Sequence, residues 1–204
     1  MNIDPSQQSN ADNYKLLTNL VVPRPIAWVT SVNEGGVVNL APFSFFNAVS
    51  SDPVQLVISV GVRDVISLKD TATNILRSGE FVVNMVTEEL MHAMNISAAD
   101  FPPTLSELDA ASLHATPCDK VKVPRVAESL VSFECVLRAH LPVGSSTLIV
   151  GEVVMMHVAD HLVGPRFHIN GFAPIGRLGS PSTYCRTNDR LELARSSYDA
   201  LIKK

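Results

Sequence analysis

Cysteine and long apolar runs are scarce in this sequence of 204 residues. Its three cysteines, Cys118, Cys135 and Cys185, are widely spaced and odd in number. A disulfide framework is therefore not expected, and the cytoplasm is the expected compartment. No apolar run approaches the length that spans a bilayer, and the polar, acidic N-terminus lacks the features of a secretory signal. The sequence predicts no membrane segment.

The sequence also lacks an excess of positive charge, because it has 16 Lys and Arg residues and 20 Asp and Glu residues. A net charge of −4 gives no basic field for nucleic acid, so anionic ligands must be held by a few local cations. The six histidines show no metal-binding spacing, and no metal site is predicted. His157 is interpreted as a hydrogen-bonded core or rim residue, whereas His168 could reach the mouth of a site. Ser44 has no apparent His or Asp partner, and no GxGxxG follows a strand.

Hydrophobic residues make up 46% of the chain and charged residues 18%, which predicts one folded domain over residues 1–204 with its core at about 14–190. Apolar runs rich in β-branched residues predict strands. The runs are Pro25–Val32, Val37–Leu40, Phe43–Val49, Val54–Val60, Phe81–Val86, Leu130–Leu141 and Thr147–Val158. Residues 33–36, Asn-Glu-Gly-Gly, predict a hairpin turn. The expected fold is mainly β with short helices, an antiparallel barrel whose closure removes exposed edges.

Short helices interrupt this pattern. One is expected from an N-cap at Asp70 to Gly79, and a second after a cap at Thr87. Residues 104–107, Thr-Leu-Ser-Glu, fit a capping box. The segment 117–124 is expected to be a loop, and the tail from about Asp189 is expected to be helical.

The densest candidate site is the segment Arg24–Pro53. Asn39-Leu40-Ala41-Pro42 is followed by Phe43-Ser44-Phe45-Phe46-Asn47, which combines aromatic faces with amide and hydroxyl groups. A planar ligand with a polar rim needs that combination, and Pro42 could leave neighbouring backbone groups free for it. Arg24, Thr30 and Ser31 offer a cation and hydroxyls for a phosphate. The alternatives are that the three phenylalanines belong to the core and that Arg24 is a solvated surface residue, so the residues alone do not identify the ligand.

Lys69-Asp70-Thr71 is a second candidate. A lysine before a helix N-terminus, followed by a hydroxyl in the first turn, favours anion binding through charge and free N–H groups. The alternative is that Asp70 only caps the helix and Lys69 is solvated.

Four segments carry a family resemblance, and they are RPIAWVTSVNEGGVVNLAPFSFFNAVSSDP, KDTATNILRSGEFVVNMV, SFECVLRAHLP and GEVVMMHVAD. With these segments the sequence resembles the flavin reductase-like domain family over about Tyr14–Arg190. The greatest similarity is to its flavoredoxin-like subgroup. The resemblance implies the FMN-binding split barrel and a homodimer with FMN near the subunit interface. It also implies a flavin reductase that takes electrons from NADH or NADPH and passes reduced flavin or electrons to an acceptor such as a partner oxygenase. A flavoredoxin-like electron carrier without nicotinamide activity is the alternative.

The resemblance also implies the site residues. Those matching the isoalloxazine and ribityl contacts, partly through backbone groups, are Trp28, Thr30, Ser31, Asn39, Ala41, Pro42, Phe43, Ser44, Phe45, Phe46 and Asn47. Those matching the phosphate region are Arg24, Lys69, Asp70 and Thr71. A late Arg-Leu-Gly…Tyr element, here Arg177 and Tyr184, is expected near the flavin or the dimer interface. No catalytic side chain is expected, because the flavin carries the redox chemistry.

Overall fold

The computed structural model describes residues 1–63, 67–179, 181–198 and 202. Its centre is a seven-stranded antiparallel sheet in the order β2-β1-β5-β8-β9-β4-β3. The strands are β1 Ala27–Val32, β2 Val38–Phe43, β3 Phe46–Ser51, β4 Val54–Gly61, β5 Glu80–Met85, β8 Val131–Val143 and β9 Ser146–Val158. Two small pairs accompany them, β6 Ala115–Thr116 with β7 Arg125–Val126, and β10 Gly176–Arg177 with β11 Tyr184–Cys185. The predicted β-rich fold is confirmed.

The sheet curls because of its connectivity. Its two edge strands, β2 and β3, follow one another in the chain and are joined only by Ser44 and Phe45. The strand ends Phe43 and Phe46 are three Cα–Cα steps apart, at most about 11 Å, so the edges have to approach each other at this link. The barrel is thus closed by the chain itself at the centre of the predicted site.

Two apolar clusters lie on opposite faces of the strands, as period-2 alternation requires. The barrel interior holds Val29, Ile58, Phe81 and Ile149 with Ile75 of helix α2, and Phe43 and Phe46 pack against it. The outer cluster holds Trp28, Leu40, Met94 and Leu108. The helices are α1 Asn10–Leu20, α2 Asp70–Ser78, α3 Met91–Ile96 and α4 Glu107–Ala110. No helix among the described residues is long and apolar enough to cross a membrane.

The two turn predictions and the cap predicted at Thr87, which precedes the 3-10 helix Glu88–Leu90, are confirmed, whereas the other two predicted caps are displaced. Gly36 has φ +80° in the predicted hairpin, and Gly79 has φ +74° at the end of α2. Lys69 rather than Asp70 is the N-cap of α2, because Asp70 already has helical geometry. Ser106 rather than Thr104 caps α4.

Residues 117–124 contain no helix or strand, as expected for a loop. The expected helix from Asp189 is wrong over residues 189–197, which are not helical, although Tyr198 and Ile202 are. The rest of that tail (residues 199–201, 203 and 204) lies outside the described residues.

Candidate functional site

A cavity of about 770 Å³ opens beside the link between the two sheet edges, and we call it the main cavity. One wall is the outer edge of β2, from Asn39 to Phe43, and the opposite end is the start of α2, from Lys69 to Thr71. Residues 97–103 form a third wall, and Glu107 completes it. The structure therefore brings together two candidate segments that are about thirty residues apart in the chain.

The α2 end of the main cavity is suited to an anion. No described side chain caps the first N–H groups of α2, and such groups have no acceptor within a helix. The Lys69 ammonium has no ion-pair partner among the described residues, while Arg63 pairs with Asp70 at 2.7 Å. Thr71 Oγ1 accepts a hydrogen bond from Asn39 Nδ2 at 2.9 Å, so its own hydroxyl proton can be donated elsewhere. Charge, helix dipole and hydroxyl converge at one end.

The β2 wall exposes backbone groups of an edge strand. Leu40 N–H points away from β1 and donates to Glu107 Oε2 at 3.0 Å. Pro42, two residues on, has the same orientation, so its missing N–H costs no bond of the β1–β2 ladder. The proline therefore does not release neighbouring amides, which corrects the expectation from the sequence. The Pro42 carbonyl faces outward, away from β1. Burial raises the pKa of Glu107, and the hydrogen bond from Leu40 partly opposes that shift.

Trp28, Thr30 and Ser31 lie behind the main cavity rather than on its wall, which corrects the expectation that they line it. All three are fully buried in β1. Thr30 Oγ1 donates to the Pro124 carbonyl at 2.6 Å, and Ser31 Oγ accepts from Asn74 at 3.2 Å. Trp28 Nε1 donates to Ser97 Oγ at 2.8 Å, and Ser97 is a wall residue of the cavity. Trp28 thus supports the site through Ser97.

Arg24 is the largest departure from the expected phosphate region. Its side chain is buried, and Nη1 donates to the carbonyls of Thr18 at 2.5 Å and Val21 at 2.6 Å. Nη2 donates to the Leu178 carbonyl at 2.7 Å, and Nε donates to Ser44 Oγ at 3.3 Å. Four bonds use most of the five guanidinium donors, so Arg24 joins three chain segments and has little left for a phosphate. It is neither solvated nor on the main cavity.

Two smaller depressions continue from the main cavity. The arginine recess, about 330 Å³, contains Arg177 and Tyr184 and shares Pro42 and Ala98 with the main cavity. The Arg177 guanidinium carbon lies 4.6 Å from the centre of the Tyr184 ring. A groove of about 270 Å³ shares Ser44 with the recess and is lined further by Phe45, Phe46, Asn47 and Arg24. The remaining predicted residues therefore line these two depressions and not the main cavity.

The sequence did not indicate several of these residues. The wall at 97–103 and the Glu107 carboxylate carry no motif, and the sequence pattern places Glu107 only in a helix cap. Cys118, Glu134 and His157 also come together, with ligand atoms within 4.8 Å of one another. His157 bonds Glu134 at 2.6 Å, as expected of a satisfied histidine, whereas His168 is exposed and does not line the main cavity or the recess.

Glu134 holds the 117–124 loop against the sheet. Its fully buried carboxylate accepts N–H bonds from Asp119, Lys120 and Val121 at 2.6–2.9 Å, in addition to the His157 bond. Burial acts to raise its pKa, but these hydrogen bonds outweigh burial and hold the pKa below its usual value. Burial, followed by the charge of Glu134, raises the pKa of the Cys118 thiol to about 11. The Glu134 carboxylate, held by His157, therefore acts as a clamp on the loop.

Solved structures share this architecture. Nitrilotriacetate monooxygenase component B from Bacillus cereus is 39% identical, with a TM-score of 0.91, over 95% of this chain and 98% of its own. The 2-nitrobenzoate 2-nitroreductase of Pseudomonas fluorescens is 36% identical, with a TM-score of 0.88, over 97% of this chain and 98% of its own. A protein with a split barrel domain from Shewanella frigidimarina shares the fold, with a TM-score of 0.79 at 19% identity over 97% of this chain and 99% of its own.

The family match covers the strands, the main cavity and all of the arginine recess except Tyr14. The model of the flavin reductase like domain matches residues 19–187, which is most of the chain. The curled antiparallel sheet is the split barrel of that family, and the cavity lies along its edge strand β2. The chain belongs to the flavin reductase like domain family.

Proposed function

We propose that this protein binds FMN in the main cavity and reduces it with NADH or NADPH, as a cytoplasmic homodimer. Reduced flavin or its electrons would then pass to a partner such as an oxygenase. The proposal rests on one observation. A single cavity contains both the uncapped start of α2 beside Lys69 and an open strand edge. The likeness to a monooxygenase component B at 39% identity supports the kind of partner.

The phosphate of FMN fits the α2 end of the cavity. A phosphate monoester carries about two negative charges near neutral pH and three acceptor oxygens. The helix start, the Lys69 ammonium and the free Thr71 hydroxyl proton supply matching donors. Arg63, already paired with Asp70, adds a second cation at the rim. One phosphate, rather than the diphosphate of FAD, matches the extent of this donor set.

The ring system would lie along β2 between Ala41 and Phe43 and against residues 97–103. A bound flavin supplies the hydride and electron chemistry. The protein positions the ring and limits water around it, which are the tasks that apolar walls and edge carbonyls perform. Glu107 holds Leu40 in place, so the strand edge keeps its orientation without an external partner. No side chain of the main cavity is needed as a catalytic acid or base.

The spectrum of the purified protein tests the flavin, and anaerobic mixing tests the activity. The protein should be yellow or should become yellow when reconstituted with FMN, and FMN should bind more tightly than FAD. A protein that is colourless after incubation with excess FMN and removal of the free FMN would refute the proposal. Bleaching of the bound flavin within seconds of adding NADH or NADPH supports the reductase, whereas a stable oxidised flavin supports a carrier that receives electrons from another protein. Light scattering after gel filtration tests the homodimer.

Direct reduction of an organic acceptor on the flavin is a second candidate. The identity of 36% over 97% of the chain to a 2-nitrobenzoate 2-nitroreductase favours it. Steady-state oxidation of NADPH can be compared with 2-nitrobenzoate and with free FMN as the acceptor. Faster turnover with the nitro acid would favour direct reduction, and turnover with free flavin alone would favour the reductase.

A further inference from the structure

The arginine recess has a charge pattern that the proposed flavin site does not use. Of the ten described residues that line it, Arg177 is the only charged one, and no carboxylate is among them. Arg177 donates from Nη2 to the Pro181 carbonyl at 2.8 Å and has no ion pair among the described residues. In a chain of net charge −4, an arginine in a cavity without an acid is an unbalanced cation.

A second cation strengthens the positive field. The buried Arg24 guanidinium binds Ser44, which lines the recess, and Arg24 also has no ion pair in the described part of the chain. Burial lowers the pKa of Arg24, and the charge of Arg177 lowers it further. Two like charges that repel each other are both stabilised by an anion between or beside them, because the field of each favours negative charge.

The rest of the recess combines apolar and polar surface, as a flat ring with polar substituents requires. Ile26 and Met94 are buried apolar residues, and the Tyr184 ring lies against the Arg177 guanidinium. The contact with Tyr184 and the Nη2 bond to Pro181 hold the planar guanidinium in one orientation, and no hydrogen bond among the described residues uses Nε or Nη1, which leaves these donors for a carboxylate. Tyr14, Asn95 and Ser182 add polar groups at the rim. About 330 Å³ accommodates one aromatic ring with its substituents and no large cofactor.

The position of the recess relates it to the flavin. It shares Pro42 and Ala98 with the main cavity, and Pro42 is part of the strand edge assigned to the ring system. The phosphate end, at Lys69, is a separate part of the main cavity that does not line the recess. An acid bound to Arg177 would therefore lie beside the flavin ring and leave the phosphate anchor untouched.

We propose that the arginine recess binds the carboxylate of a small planar aromatic acid and holds its ring next to the flavin. The inference rests on the proposed function, since it takes the main cavity to be the flavin site. Arg177 is the residue that selects for the acid, and Tyr184 positions Arg177.

Benzoate and its uncharged analogue benzamide are the probes. The FMN-loaded protein is titrated with each, and the change in the visible spectrum of the bound flavin is followed. Benzoate should bind at least about tenfold more tightly than benzamide, because only the carboxylate forms charge-assisted bonds. Arg177→Gln should lose about tenfold in benzoate affinity and Arg177→Lys less. Arg166→Gln, which removes the same charge from an exposed loop outside the recess, should bind benzoate like the wild type.

Equal affinity for benzoate and benzamide would overturn the proposal, and so would equal losses in Arg177→Gln and Arg166→Gln. A measurement on the wild type alone covers the case in which Arg177→Gln fails to fold or to retain FMN. FMN affinity is determined with and without saturating benzoate. The proposal expects it to be unchanged or tighter, whereas competition would place benzoate in the flavin site and overturn it. Failure to bind FMN refutes the proposed function, but normal reduction by NAD(P)H without benzoate binding refutes only this inference.

Discussion

Replacing Lys69 with alanine removes one cation from the α2 end of the main cavity and leaves the helix start intact. Lys69 is exposed and unpaired among the described residues, so the change breaks no internal contact. The fold and the backbone N–H groups of α2 should be unaffected. Any loss of affinity for FMN therefore reports the contribution of the ammonium to phosphate binding.

The expected size of the loss follows from the exposure of Lys69. Hydrogen bonds to charged groups contribute about 1.5–3 kcal/mol, but water screens an exposed ion pair to about 1 kcal/mol or less. The helix dipole adds to the same site and persists in the variant. We therefore expect Lys69→Ala to lose about 1.5 kcal/mol of the free energy of FMN binding, the lower end of the range for hydrogen bonds to charged groups. This loss is about a tenfold rise in the Kd for FMN.

Two ligands and two variants make the assay specific. Affinities for FMN and for riboflavin, which lacks the phosphate, are measured by quenching of flavin fluorescence at low salt. Lys69→Ala should weaken FMN and leave riboflavin unchanged. Lys122→Ala, at an exposed lysine of the 117–124 loop, is the control for net charge. The reasoning fails if Lys69→Ala weakens both ligands equally or neither, because the phosphate would then not contact Lys69.

Other substitutions test the roles assigned to buried groups. Arg24→Gln should lower the melting temperature and weaken FMN and riboflavin by the same factor, because Arg24 joins chain segments; a selective loss of FMN would instead make it a phosphate ligand. Glu134→Gln should cost about 2 kcal/mol in urea unfolding at neutral pH, since the amide cannot accept all four bonds. The pKa of Glu134 is depressed, so its stabilisation is complete above the unfolded value near 4.5 and is lost as pH falls through the folded value. The difference in the free energy of unfolding between the wild type and Glu134→Gln should become smaller in acid. A difference that does not depend on pH would contradict the role of Glu134 in holding the loop. Gly151→Ala should destabilise by about 1–3 kcal/mol, because its Cβ would lie 2.4 Å from Phe81 Cζ, whereas Gly61→Ala, with no atom nearer than 4.0 Å, should unfold like the wild type.

The strands could be predicted from the sequence because each carries its own signal. β4, for example, alternates between buried and half-buried residues, and its apolar residues, interrupted only by Gln55 and Ser59 before the final glycine, are sufficient to indicate a strand. The hairpin at Gly36 and the end of α2 at Gly79 are local too, since both need a positive φ that glycine adopts readily. The N-cap predicted at Thr87 is correct, whereas those predicted at Asp70 and Thr104 lie one or two residues away from the true positions, because several adjacent polar residues fit the same pattern.

The site was only partly predictable because it depends on distant contacts. Asn39 meets Thr71 across the end of the barrel, and nothing in either segment indicates the other. The charge of Arg24 suggests a ligand role, but burial and backbone carbonyls decide its role, and these come from the packing of α1 and of Leu178, directly after β10. Glu107 escapes prediction for the same reason, since its partner Leu40 lies far away in the chain.

The hydrogen bond between Trp28 and Ser97 makes the tryptophan fluorescence of the protein a probe of the main cavity. Trp28 is the single tryptophan of the chain, so its emission can be assigned without mutation. The indole is fully buried, and its N–H is bonded to a residue of the cavity wall. A flavin bound in that cavity lies close enough to accept its excitation energy, and a shift of the 97–103 wall would alter the polarity around the ring. Occupancy and wall movement should therefore appear as separate changes, one in the intensity and the other in the wavelength of a single emission band.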